Sequence, residues 1–388
     1  MKFVYQALIY FTLISVISAQ DYQADIIFPL QGQHVHGSSI VELPNGDLLS
    51  CWFQGSGERS ANDVSIMGSR LVKGEKNWSK PFLMADTPNQ PDCNPVLFLN
   101  KNNKLFLAWI VVQSNKWETS ILKYRTSIDY KNVGAPIWNW QDIIIIKPGN
   151  EFVDEIETKF KENTHKEFAW SGFAPIYETM IYEASKDPKK RETGWMTRIH
   201  PLILGNGRIL LPLYSDGFNF SICAISDDDG SNWNCGLPIV GKGNIQPSLI
   251  QKEDGTISAF MRDSGDEPGR IMMSESFDNG ENWTFAEDSE ILNPGASIEV
   301  LKLKNGNWLL VYNDVEDGRY SLAVSISDDE GKTWKWKKHL EHSDKGGYSY
   351  PSVIQTKDGK IHATYSYHLG NQQNSIKHAA FDVDWILN

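Results

Sequence analysis

The chain has 388 residues, 40 % of them hydrophobic and 12 % aromatic, which is enough apolar surface for one large domain. Its formal charge of −12 argues against nucleic acid or an anionic membrane as the main partner. An acidic substrate is still open to it, because a cleft can be locally basic.

Residues 1–19 combine Lys2, an apolar run and small residues at Ser18 and Ala19, the pattern of a secretory signal peptide. No later stretch reaches the roughly 18 apolar residues of a membrane span. The expectation is a secreted or periplasmic protein whose residues 20–388 form a single domain; the sequence leaves its oligomeric state open. Cys51, Cys93, Cys223 and Cys235 are too few for a disulfide framework, although Cys223 and Cys235 flank a turn signal and could face each other across a hairpin. No Cys/His spacing resembles a zinc site, and neither a metal nor another cofactor is expected.

A phrase then recurs six times: HGSSIVELPNGDLL from His36, NPVLFLNKNNKLFL from Asn94, HPLILGNGRILLP from His200, QPSLIQKEDGTISAF from Gln246, SIEVLKLKNGNWLLVY from Ser297, and YPSVIQTKDGKI from Tyr350. Each reads as two short strands joined by a tight polar turn. The last four copies follow one another at a spacing that suits a four-stranded blade. Such a sheet cannot cover its own faces, so blades must stack around an axis. The prediction is an all-β fold, a six-bladed β-propeller, closed by residues 22–33 completing the last blade. A second signal, S-x-D-x-G-x-x-W, occurs at 226–233, 276–283 and 327–334. Its Asp suits a hydrogen bond to the turn backbone and its Gly a positive φ. Residues 151–194 carry neither signal and look partly helical, which predicts an insertion between blades two and three; a seventh blade is the alternative.

The head residues begin the innermost strands and should ring one end of the axis: His36, Asn94, His200, Gln246, Ser297 with Glu299, and Tyr350 beside Tyr348. Titratable and amide groups around a funnel predict a ligand site. Arg262 and Arg319 read as ends of second strands, and Arg198 precedes a head. Three arginines near strand ends of an acidic protein suggest a carboxylate or sulfate clamp.

The boxes, together with FMRDSG, GRYSLAVSISDDEGKTW and GGYSYPSV, resemble the sialidase-like BNR-repeat superfamily. That resemblance implies a six-bladed propeller with three arginines on the substrate carboxylate, a Tyr nucleophile assisted by a Glu, and an Asp acid. It places Arg262 and Arg319 as two of the arginines, Tyr348 as the nucleophile, and Asp63 or Glu58 near the acid. The sequence departs from the pattern twice. HVHGSS, with His34 and His36, stands where the first arginine is expected, and Gln246 stands near the place of the Glu. The remaining set of arginines, histidines and tyrosines suits β-elimination on a uronic acid and is similar to that of propeller lyases acting on ulvan. The expected activity is therefore that of a lyase or dehydratase acting on the terminal uronic acid of an acidic oligosaccharide. His36, Tyr348, His200 and Asp63 are the candidate catalytic groups, with Arg262, Arg319, Arg198, Gln246, Glu299, Tyr350, His34 and Asn94 binding substrate. A sialidase-type exo-glycosidase and a non-catalytic glycan-binding propeller are the alternatives.

Overall fold

Every copy of the repeated phrase folds into an antiparallel strand pair, because apolar runs on either side of a polar two-residue turn can bury themselves only by pairing. The computed structural model describes residues 22–163, 176–265 and 267–388; the signal-peptide reading falls outside them. Six sheets result, each four-stranded on its main path. Their innermost strands are His34–Glu42 in blade I, Asp92–Leu99 in II, Met196–Thr197 with Leu202–Ile203 in III, Asn244–Gln251 in IV, Glu299–Lys302 in V and Gly347–Gln355 in VI. The chain is thus a six-bladed β-propeller. The outer strand of blade VI is Tyr22–Ile26, which pairs antiparallel with Asn374–Phe381 from Tyr22 opposite Phe381 to Ile26 opposite Lys377. The Tyr22 ring stacks on Trp385 at 4.5 Å, so both ends of the described chain lock into one sheet.

The three boxes form one repeated hydrogen-bond pattern. Ser226 Oγ donates to Asp228 Oδ1 (2.9 Å) and accepts from Gly230 N (2.9 Å), while Asp228 Oδ1 accepts from Asn232 N (2.8 Å). Corresponding bonds recur at Ser276, Asp278 and Gly280, and at Ser327, Asp329 and Gly331. These aspartates are held in turns and are structural.

The insertion between blades II and III contains helices Asn150–Glu162, Tyr177–Ser185 and Pro188–Arg191. Phe152, Ile156, Tyr177 and Ile181 are its buried face, continuous with the core around Trp195, Phe218 and Phe220. The suggested pairing of Cys223 with Cys235 does not form: Cys235 lies opposite Ala224 in the ladder, and a one-residue offset directs the two side chains to opposite faces. No helix among the described residues is long and apolar enough to cross a membrane.

Candidate functional site

Four inner strands break their pairing register at the head: between His36 and Ser39, Cys93 and Val96, Ile245 and Ser248, and Ser349 and Ser352. Inside each break one residue has a left-handed backbone: Gly37 (φ 62), Asn94 (φ 50), Gln246 (φ 56) and Tyr350 (φ 57). A bulge with a residue of this kind re-aims its side chain out of the strand's alternation. For Asn94, Gln246 and Tyr350 that conformation costs on the order of 1–3 kcal/mol each, which the surrounding sheet must offset. In blade I the equivalent residue is Gly37, not His36, and a Cβ there would stand 2.8 Å from Phe53 Cε1.

The bulges decide between the two tyrosines. Tyr348 precedes the bulge, pairs with Tyr367 and packs in the apolar cluster shared by blades V and VI. Its ring lies 5.3 Å from Tyr367, and burial raises its phenol pKa, with Glu341 and Tyr367 adding to the shift. Tyr350 instead faces a cavity of about 420 Å³ whose walls include Glu58, Asn94, Tyr214, Asp216, Gln246 and Arg262.

Around Tyr350 the chemistry is cationic and amide. Arg262 Nη1 donates to Tyr350 Oη at 2.9 Å, and the Gln246 amide also hydrogen-bonds the phenol. The guanidinium of Arg319 lies 5.2 Å from the ring centroid. Burial alone would raise this phenol, but Arg262, Arg319 and Gln246 outweigh it and hold the pKa below the ordinary value of ~10. Arg319 sits in the turn before Ser321–Ser327 and not at the end of a second strand; its Nη2 donates to Gly295 O (3.2 Å). Arg262 does end a second strand, Ile257–Asp263.

His36 lies against Tyr350 with ring centroids 4.0 Å apart, and His34 and His368 follow at 5.8 and 5.7 Å from His36. All three are held neutral. Burial comes first for His36, whose pKa is well below the ordinary imidazole value, with His368 and Arg319 adding to it. Burial, then His368, pushes His34 down to about 4, and burial lowers His368 too. On the cavity wall, burial raises the carboxyl of Glu58 against the opposing charges of Arg59 and Arg319. Asp216 is raised for the same reason, against Arg262 and Arg59. Both carboxyls therefore hold a proton more tightly than a solvated carboxylate does. Asp63, by contrast, is exposed and turned into its own loop, accepting from Ser56 N and Oγ. Asn94 Nδ2 donates to Tyr214 Oη at 3.0 Å.

The other candidates lie elsewhere on the axis. Arg198 is fully buried and donates to Ser38 O (3.0 Å), Tyr350 O (2.6 Å) and Pro351 O (3.1 Å). Its guanidinium holds strand backbone and lies 5.0 Å from the Tyr350 ring centroid. Two residues further along the inner strands, His200 Nδ1 meets Glu299 Oε1 at 2.5 Å and Nε2 meets Ile40 O at 2.9 Å. Glu299 Oε2 also accepts from Val353 N (2.7 Å). These two residues line a separate cavity of about 450 Å³ that shares no wall residue with the Tyr350 cavity.

Both His200 nitrogens face acceptors, so the imidazolium is the form that fits. Burial opposes the charge, but Glu299 and the Ile40 carbonyl outweigh it and raise the pKa above 6.5. The folded state therefore binds this proton more tightly than the unfolded chain does. The resulting stability is fully present below pH ~6.5 and is lost as pH rises through the native pKa. Urea midpoints compared between pH 6 and 8 should fall more steeply for the unsubstituted protein than for His200→Gln; parallel curves would show that the pair carries no such coupling.

Sequence reasoning missed Tyr214, Asp216 and His368. The first two stand in PLYSDG, at the second-strand end that AFMRDSG occupies in the next blade, and His368 ends the second strand of blade VI. The signal was the repeated position, read only where it held an arginine. Among the described residues, no group of three His, Cys, Asp or Glu side chains is placed to hold a metal ion.

Comparison with known proteins agrees with this architecture. The family model described as BNR repeat-like domain matches residues 46–160 and 187–363, leaving out most of the helical insertion. An anhydrosialidase from Macrobdella decora is 22 % identical over 190 residues, 44 % of this chain. That match spans only 24 % of the relative's own length. Among solved structures, the intramolecular trans-sialidase from Ruminococcus gnavus aligns over 93 % of this chain and 97 % of its own, with TM-score 0.67 and 15 % identity. The NanB sialidase from Streptococcus pneumoniae aligns over 93 % of this chain and 71 % of its own, with TM-score 0.67 and 12 % identity. A protein of unknown function from Dyadobacter fermentans matches over 93 % and 99 %, with TM-score 0.67 and 15 % identity. At these identities the structures speak for the fold alone, whereas the family model covers well over half of the sequence. The chain belongs to the BNR repeat-like domain family, as a sialidase-like six-bladed propeller.

Proposed function

We propose that this protein is an exported, carbohydrate-active enzyme that acts on the terminal uronic acid of acidic oligosaccharides by β-elimination. The observation that carries the reading is the environment of Tyr350: Arg262 and the Gln246 amide hold its phenol, which among the described residues hydrogen-bonds no carboxylate and feels Glu58 only as a weaker opposing charge. Cations, not a neighbouring base, favour its ionisation. Arg262 and Arg319 neutralise the substrate carboxylate, which acidifies the hydrogen on the carbon next to it. Tyr350 Oη takes that proton, the electron pair forms the C4=C5 bond, and the C4–O bond breaks. The departing oxygen receives a proton from Glu58. If that oxygen belongs to a hydroxyl the reaction is a dehydration; if to a sugar, a lyase cleavage. Neutral His36 lies against the Tyr350 ring, with His34 and His368 beside it.

The second reading is sialidase-type hydrolysis, with Tyr350 Oη attacking the anomeric carbon. It is supported by the fold's likeness to sialidases and by the protonated bias of Glu58 and Asp216. Incubation with uronate-terminated oligosaccharides separates the two. Elimination creates a conjugated double bond and its ultraviolet absorbance; sugar release without that chromophore overturns elimination in favour of hydrolysis. In either case Arg262→Ala should lower kcat/KM on the order of 10²-fold, since a charged hydrogen-bond partner of both phenol and carboxylate is removed. A change of only a few-fold would move the clamp elsewhere.

A further inference from the structure

Next to the Tyr350 cavity lies a second one of about 520 Å³, and the two share Trp117 and Asp216 as walls. Its outer wall comes from the insertion: Lys189, Lys190 and Thr193 face Glu118 and the Asp216 loop. A single monosaccharide leaves this space empty, whereas a chain of sugars crossing the shared wall would fill both cavities.

The wall is firmly placed. Arg191, adjacent to the two lysines, is buried and donates through Nε to Pro148 O (2.8 Å) and through Nη1 to Ser185 O (3.1 Å) and Lys186 O (3.3 Å). Trp195 Nε1 donates to Arg191 O at 2.7 Å, and Gly194 N donates to Ser120 O of blade II at 3.2 Å. Asp187 Oδ1 accepts from Lys189 N at 3.0 Å. The insertion base is thereby bonded both to itself and to blade II. Lys189 and Lys190 are exposed, and neither is in an ion pair among the described residues. Trp117 stands half-buried on the wall that the two cavities share, with the Arg59 guanidinium over its ring at 5.3 Å from the centroid.

We propose that the insertion builds a second sugar subsite: Trp117 packs against the sugar next to the uronic acid, and Lys189 and Lys190 bind an anionic substituent on it, a sulfate ester or a carboxylate. Glu118 and Thr193 face the hydroxyls of the same sugar. This rests on the reading of the Tyr350 cavity as the uronate site and makes the substrate a polyanionic oligosaccharide. Two lysines on one anion supply affinity and charge selectivity, and the uronate is bound independently by Arg262.

Isothermal titration with four probes tests it: free glucuronate, and uronate-terminated disaccharides whose second sugar is neutral, sulfated or carboxylated. The unsubstituted protein should bind the charged disaccharides about tenfold more tightly than the neutral one. Whichever of the two shows the larger margin identifies the substituent. Lys189→Ala/Lys190→Ala should erase that margin and leave glucuronate and the neutral disaccharide unchanged. A double variant that keeps the margin overturns the subsite. Arg262→Ala should weaken all four probes alike. If it leaves glucuronate binding unchanged, or if no probe binds the unsubstituted protein, the uronate reading itself fails and the subsite falls with it.

Discussion

Tyr350→Phe lowers turnover by about 10²–10⁴-fold, the range expected when a positioned proton-transfer group is removed. The fold survives, because the ring keeps its place among His36, Arg198 and Arg319 and loses only the oxygen that Arg262 and Gln246 hold. Near-ultraviolet circular dichroism and the thermal midpoint should stay close to those of the unsubstituted protein. Tyr348→Phe gives the opposite pattern. Its ring stays in the apolar cluster between blades V and VI and it loses only a hydroxyl bonded to Ser343, so it affects stability modestly and turnover little. The pair of variants is informative because the two residues are chemically alike and two positions apart on one strand. If Tyr348→Phe is the inactive one, the assignment of Tyr350 collapses.

The largest effect on stability belongs to Arg198→Leu, with an expected loss of about 3–5 kcal/mol. Arg198 is buried beside Glu299 and donates to three backbone carbonyls, two of them on Tyr350 and Pro351. Leucine fills part of the volume but leaves those carbonyls without a donor and removes a cation that balances Glu299. A lower urea midpoint at unchanged slope is the readout. Activity in the remaining folded fraction should fall as well, because the left-handed backbone at Tyr350 depends on bonds to its own carbonyl. An Arg198→Leu variant with unaltered stability would mean that the sheet alone holds the bulge.

Much of this was legible in the sequence, for a physical reason. Blade number, closure through the N-terminal strand and the position of the insertion follow from signals that act over a few residues: apolar runs, polar turns and the Ser-Asp-Gly box. Each copy repeats the same local hydrogen bonds, so counting copies counts blades. The members of the site were legible less evenly. Arg262, Gln246, Asn94 and Tyr350 stand at repeated positions and meet around one cavity. Asp63 lies apart from them, while Glu58 from the same loop lines the cavity, since which carboxylate of a loop turns inward depends on the loop's own hydrogen bonds.

Three assignments were left to the tertiary structure. Strand alternation would put Tyr348 and Tyr350 on one face; the bulge with its left-handed residue breaks that period, sending Tyr350 to the cavity and Tyr348 to the core. Arg198, Arg262 and Arg319 are indistinguishable as letters. Only the packing around the axis shows that the first spends both terminal nitrogens on backbone carbonyls, while Arg262 bonds the phenol of Tyr350 and Arg319 stands beside its ring. His200 and Glu299 looked like members of the same ring, but they pair two residues further along the inner strands, around a cavity of their own. The sequence by itself determined the propeller and the stretch of each blade that faces the axis. Where each side chain points there depends on backbone bulges and on long-range hydrogen bonds between blades, which no local pattern encodes.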